Sequence, residues 1–195
     1  MDTVLSWGAL SALLIAISGI PYMWGIYKRS VPRPVLSTWG IWAVLGLLLL
    51  ITYYEAGARN DTTLLAAWMG FINPVIIFVL ALKYGEFRWT RLETMCVIFC
   101  VVSIVVWKTT GDPLLGPIGG LVADAMGIIP QIRHTMKSPA DEPLFPWGLF
   151  CIGSAVNLLG VVDWKLAHYI YPVYMTVGSL LIVLPILTHR LLVSK

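Results

Sequence analysis

The sequence predicts an all-α membrane protein of seven transmembrane helices, arranged as two parallel triple-helix bundles joined by a linker helix. Composition, the spacing of the apolar runs and a repeat between the two halves of the chain carry that expectation. Of 195 residues, 58% are hydrophobic and 12% charged, and the mean hydropathy is +0.84. A chain this apolar belongs in a bilayer and not in water. Apolar runs close to the roughly 20 residues that a helix needs to cross hydrocarbon recur along the whole length. They fall at roughly 5–27, 37–54, 64–83, 92–107, 114–133, 147–162 and 169–189. None alternates apolar and polar residues at period two, which argues against a membrane β-barrel.

The first run reads as a retained helix and not as a cleaved signal. No Lys or Arg precedes Lys28, and the run is longer than the apolar core of a signal. Orientation follows from the 13 basic residues. Lys28, Arg29 and Arg33 follow the first run, Lys83, Arg88 and Arg91 the third, Arg133 and Lys137 the fifth, and Arg190 and Lys195 the seventh. Only Arg59, Lys108 and Lys165 fall on the other side. The positive-inside bias therefore predicts an N-terminus outside and a C-terminus in the cytoplasm. The formal charge of +3 reports this topology and gives no sign of a nucleic-acid partner.

The two halves of the chain resemble each other. At a shift of 109, Ala16 meets Ala125, Ile20 meets Ile129, Pro21 meets Pro130, Lys28 meets Lys137 and Pro34 meets Pro143. One residue is then lost, and Trp39-Gly40 meets Trp147-Gly148. Later, Asn73-Pro74-Val75 in the third run parallels Tyr171-Pro172-Val173 in the seventh. Each repeat thus places a proline near the cytoplasmic end of its first helix, a basic loop after it, and a proline in its third helix. The expected division is a first repeat over 1–86, a linker helix in 87–112 and a second repeat over 113–195. An odd linker restores orientation, so the repeats are parallel about an axis along the membrane normal.

Pro130-Gln131 with the following Lys137 resembles the motif of the PQ-loop family, the superfamily that includes the SWEET and SemiSWEET sugar transporters and lysosomal amino-acid exporters. The resemblance covers nearly the whole chain. It departs in the first repeat, where Tyr22 stands in place of the glutamine. It implies a small alternating-access carrier whose solute sits between the two triple-helix bundles, and it makes Pro21, Pro74, Pro130 and Pro172 candidate hinges. The physics agrees with that role. An internal proline removes a backbone hydrogen bond at a cost of about 3 kcal/mol in an ordinary helix, while in a membrane bundle neighbours re-satisfy the freed carbonyl and leave a bend.

Polar residues inside the runs are the candidates for a solute path. Asp124 lies mid-run in the fifth helix, where a carboxylate costs roughly 2.5–3.5 kcal/mol on insertion scales. It is the candidate for proton or cation coupling, and Ile15 holds its place in the first repeat. Asn73 and Asn157 carry amides, each with two donors and an acceptor oxygen suited to hydroxyl-rich or zwitterionic solutes. The resemblance places a substrate-binding asparagine near Asn73, but its partner position is Tyr171. Trp68 offers a stacking face. Asn73, Asn157, Trp68 and Tyr171 are therefore the expected substrate contacts.

Other classes fit less well. The last run has no lysine for a retinal Schiff base. No Gly-x-Ser-Gly, Cys-x-x-Cys or His-Glu-x-x-His motif is present, so no enzyme, cofactor or metal site is expected. A cargo-binding receptor of the same architecture is the competing expectation, although it should bury basic residues and no Lys or Arg lies deep in any run. The expected protein is a multi-pass carrier of the plasma or inner membrane, moving a small neutral or zwitterionic solute, with association between copies of the chain left open.

Overall fold

The structure is a computed structural model that describes residues 2–31, 33–58, 62–112 and 114–193, and their side chains except those of residues 2–6 and Pro130. Arg59 and Lys195, used above for orientation, lie outside the described residues. The described residues form seven α-helices and no strand. These are α1 (Asp2–Lys28), α2 (Leu36–Glu55), α3 (Leu64–Tyr84), α4 (Arg91–Thr110), α5 (Leu115–Lys137), α6 (Leu144–Leu159) and α7 (Leu166–Val193).

Six of the seven are long and apolar enough to cross a membrane. The exception is α6. Its 16 residues span about 24 Å at 1.5 Å per residue, short of a hydrocarbon core of about 30 Å. It also starts and ends about three residues before the predicted 147–162 run. Pro146 falls in the first turn, where its missing N–H costs nothing, so the helix begins ahead of it at Leu144. At the other end Gly160 terminates the helix, with Gly160 N–H donating to the Asn157 carbonyl at 3.0 Å.

The apolar side chains that an aqueous protein would bury are largely exposed. Val97, Ile98, Val101, Val102 and Val105 line one side of α4, and Leu180, Leu181 and Leu184 line α7. In a lipid solvent such faces need no cover. Interior positions hold small or hydrogen-bonded groups such as Ser11, Thr52, Ala66, Ala123 and Ser179 beside larger apolar ones such as Leu45 and Ile182.

α3 packs against both α1 and α2, and α7 packs against both α5 and α6. The two sets meet through α1 against α6 and α2 against α5, so the contacts α1–α3–α2–α5–α7–α6–α1 close on themselves. α4 lies outside that circuit, against α5 and more lightly α2. Its start is fixed by a capping box: Thr90 N–H donates to Glu93 Oε2 at 2.8 Å, and Leu92 N–H donates to Thr90 Oγ1 at 3.2 Å. Such a box satisfies two helix N–H groups that would otherwise lack acceptors. Glu93 also accepts from Thr38 Oγ1 at 3.0 Å, which ties α4 to α2.

One end of the bundle carries the loops 29–35, 85–90 and 138–143 and, with Arg29, Arg33, Arg88 and Lys137 at it, is called the basic end; the other is called the far end below. At the basic end the α1–α2 and α3–α4 loops are joined backbone to backbone. Leu36 N–H donates to the Glu86 carbonyl at 2.8 Å and Glu86 N–H to the Pro34 carbonyl at 3.0 Å. Ser37 Oγ adds a bond to the Arg88 carbonyl.

Close helix approach depends on glycine between α2 and α3. A Cβ on Gly46 would stand 2.7 Å from the Gly70 carbonyl oxygen and 3.0 Å from Phe71 Cα. Gly46→Ala should therefore lower stability by about 1–3 kcal/mol, as overpacking does. Gly148→Ala, whose Cβ would meet nothing nearer than 4.0 Å, should leave it unchanged. Thermal unfolding of both variants in the same detergent checks the pair.

Candidate functional site

Three clusters of polar and aromatic side chains stand out between the helices. The first is centred on Asp124 in α5. Tyr174 of α7 donates its hydroxyl to Asp124 Oδ2 at 2.7 Å. Tyr171 of α7 and Cys96 of α4 are the other titratable groups within electrostatic reach. Among the described residues no Lys, Arg or His pairs with this carboxyl, so a neutral phenol stabilises it in place of a counter-charge. Asp124 is only half-buried. Sequence reasoning missed Tyr174; its one signal was a phenol a single turn beyond Tyr171.

The second cluster surrounds a cavity of about 450 Å³ at the basic end. Tyr22 and Gln131, the two residues that follow the paired prolines Pro21 and Pro130, both line it, together with Trp39, Trp42, Gly127 and Glu93. Each is held in its own way. Gln131 Nε2 donates to Glu142 Oε1 at 2.7 Å, and Trp147 Nε1 donates to Glu142 Oε2 at 3.0 Å. One carboxylate thus joins the end of α5 to the start of α6, with His134 Nε2 3.6 Å from Glu142 Oε1. In the first half, Tyr22 lies directly against Trp39, with ring centroids 5.5 Å apart, and Trp39 meets Trp42 edge-on at 5.0 Å. Arg33 occupies the position that corresponds to Glu142, so that half has no carboxylate there.

The third cluster closes the far end. Tyr53, near the end of α2, is fully buried. Its hydroxyl bonds Thr63 Oγ1 at 2.6 Å and donates to the His168 carbonyl at 2.7 Å. That carbonyl is the one Pro172 deprives of its helix partner, four residues along α7. The Tyr53 ring stacks against Tyr171 at 5.4 Å, inside an apolar cluster with Leu49, Leu50, Ala67 and Leu121. Ser11 Oγ of α1 donates to the Gly153 carbonyl of α6 at 2.7 Å, and Thr62 Oγ1 donates to the Gly160 carbonyl at 3.5 Å. The bonds from Ser11, Tyr53 and Thr62 to backbone carbonyls run between α1–α3 and α6–α7, while Tyr53–Thr63 stays within the first half. At the basic end, by contrast, the described side-chain bonds stay within α1–α4 or within α5–α7.

The remaining expected residues are dispersed. Asn73 Nδ2 donates to the Ile15 carbonyl at 3.0 Å, a tie between α3 and α1. Asn157 is buried on α6, away from the basic-end cavity. Trp68 sits on an exposed face, 44% accessible and beside Phe71. Tyr171 belongs to the far-end core. Helices α1, α3, α5 and α7 run unbroken through Pro21, Pro74, Pro130 and Pro172, and the Pro130 side chain lies outside the described residues. The structure therefore brings Tyr22 and Gln131 to one cavity but gathers Asn73, Asn157 and Trp68 into no common site. No family model matches the chain, and no curated protein or solved structure matches it.

Tyr53→Phe keeps the ring and its stacking but deletes both hydroxyl bonds. At about 0.5–1.5 kcal/mol each, their loss should lower stability by about 1–3 kcal/mol. The Tyr54→Phe change one position on, at an exposed site, should cost less. Paired melting curves in detergent compare the two.

Proposed function

We propose that the chain is an alternating-access membrane carrier of a small neutral or zwitterionic solute, built on the PQ-loop and SWEET plan that Pro130-Gln131 resembles. The observation that carries this reading is the separation of bonds between the two ends. Hydrogen bonds between the halves gather at the far end, while at the basic end each half is tied within itself and a cavity opens at the junction. A carrier caught open to one side has this distribution, because only the closed gate needs bonds that cross between the moving bodies.

Two further features support it. The packing order α1–α3–α2 is repeated as α5–α7–α6, and α1 against α6 mirrors α5 against α2. This favours the 3+1+3 arrangement with α4 as linker. The positions after the paired prolines line one cavity, which favours a path bordered by both repeats, on the side where α4 packs. With the basic end in the cytoplasm, the state described is inward-open, in a plasma or inner membrane.

Asp124 is the group we assign to proton or cation coupling. Among the described residues it has no cationic partner, and its direct bond there is from a phenol on the opposing helix α7. A coupling group must exchange its proton or cation during the cycle, which a fixed salt bridge would oppose. The substrate contacts belong to groups that reach the path when the helices move, with Asn73, Asn157 and Tyr171 the candidates.

A thermal-shift screen against sugars and amino acids at pH 5.5 and 7.5 tests binding, since a ligand far above its dissociation constant stabilises the folded state by mass action. The expected outcome is stabilisation by one solute class and uptake of that solute into proteoliposomes. Binding without uptake would move the chain to the receptor reading. In the same vesicles Asp124→Asn should abolish the stimulation of uptake by an imposed pH gradient while retaining binding. Unchanged pH dependence would remove Asp124 from the mechanism.

A further inference from the structure

Among the described residues, the buried side-chain oxygens or nitrogens with no hydrogen-bond partner are Ser154 Oγ and Asn157 Oδ1. They lie one turn apart on α6, with Ser154 1% and Asn157 2% accessible. Since α6 packs on α1 and α7, the pair is sealed between those helices. The seam with α1 is close: a Cβ on Gly153 would stand 2.9 Å from Ile15 Cγ1 and 3.1 Å from Leu14 Cβ.

Leaving buried polar atoms unpaired is destabilising, and a native structure that does so has a reason. Other buried hydroxyls here bond the carbonyl one turn back, as Thr52 does to Leu48, Thr176 to Pro172 and Ser179 to Met175. Ser154 does not, and the side-chain Oδ1 of Asn157 has no donor either. Packing does not demand polarity at these places. At the shift of 108 that pairs Trp39 with Trp147, the first repeat has Gly46 and Leu49. Gly46 there lies against the α3 backbone and Leu49 in the apolar core.

We propose that Ser154 and Asn157 form a far-side hydrogen-bonding site, distinct from the basic-end cavity, that takes an O–H or N–H donor when α1 and α6 part. This rests on the carrier reading, because the α1–α6 seam joins the two halves and is the one that far-end opening separates. Asn157 Oδ1 accepts from the guest, and Ser154 Oγ supplies a second contact one turn away. The guest is either the carried solute or solvent water. Both offer the same donor chemistry.

Amide hydrogen exchange of the full chain in nanodiscs tests the site, with Ser154→Ala/Asn157→Leu compared against the unaltered protein. The probes are D-glucose and glycine at high concentration, and buffer alone. Slowing of exchange over 153–160 by either probe in the unaltered protein but not in the variant identifies a solute site. Exchange unaffected by either probe but about tenfold slower in the variant, the order expected when buried unpaired groups are removed, identifies a water site. Equal exchange in both proteins under all conditions overturns the proposal. So does a variant that fails to fold, with Asn157→Leu alone as the check, because polarity would then be a packing requirement. Uptake by the unaltered protein in proteoliposomes is measured separately; its absence would end the carrier reading whatever the exchange result.

Discussion

The bond from the Tyr53 hydroxyl to the His168 carbonyl joins the backbone chemistry of this protein to its architecture. A proline inside a membrane helix leaves one carbonyl without its N–H, and hydrocarbon offers no water to replace it. In α7 that carbonyl belongs to His168, and the replacement donor comes from α2, in the other half of the molecule. The cost of Pro172 is thus offset by a contact between the halves at the far end. Pro74 solves the same problem differently. Its freed Gly70 carbonyl faces Gly46 of α2, close enough that any side chain there would collide, so what it meets is a close backbone approach within one half, a weak contact at most. Corresponding prolines therefore serve two purposes, one binding the halves together and the other compacting a single half.

This asymmetry recurs at the basic end. Both halves secure the residue after the first-helix proline against the tryptophan that opens the second helix. The second half does so through a carboxylate, with Gln131 and Trp147 both donating to Glu142. The first half brings Tyr22 and Trp39 into direct ring contact. The Glu142 network is charge-assisted, while the Tyr22–Trp39 pair is neutral, a tilted ring contact with a side-chain hydrogen bond between the two. Further support for the first half comes from the backbone bridge between its loops and from Thr38 bonding Glu93 of α4.

The helices were legible in the sequence because lipid imposes length and hydropathy on every span, and those are properties of composition. Their ends were less so. Pro146 reads as a stop in one dimension but is harmless in a first turn, which is why α6 begins earlier than its apolar run suggests. Asp124 was visible as a lone acid in hydrocarbon, but Tyr174 was not, since a tyrosine on an apolar helix reads as packing until its hydroxyl is seen on a carboxylate. Glu142 reads as loop charge until Gln131 and Trp147 converge on it. Tyr53 was out of reach for the same reason at longer range: its partner is a backbone carbonyl 115 residues away, and nothing in the spacing of side chains announces which carbonyl a proline has freed.

The distribution of polar groups across the seams follows from one energetic fact. In lipid, apolar surface gives no drive to bring helices together, so contacts between helices rest on close packing and on hydrogen bonds. A seam that must stay shut can use both without limit, as α4 does in burying Glu93 among Thr90 and Thr38. A seam that must open has to hold with bonds that other partners can replace. The bonds that cross between α1–α3 and α6–α7 fit that requirement: each described one is a single hydroxyl on a backbone carbonyl, from Ser11, Tyr53 or Thr62, with no ion pair among them. Hydroxyl-to-carbonyl bonds exchange with water at small net cost. On the carrier reading proposed above, the seam that shuts the far end is therefore also the one suited to release it.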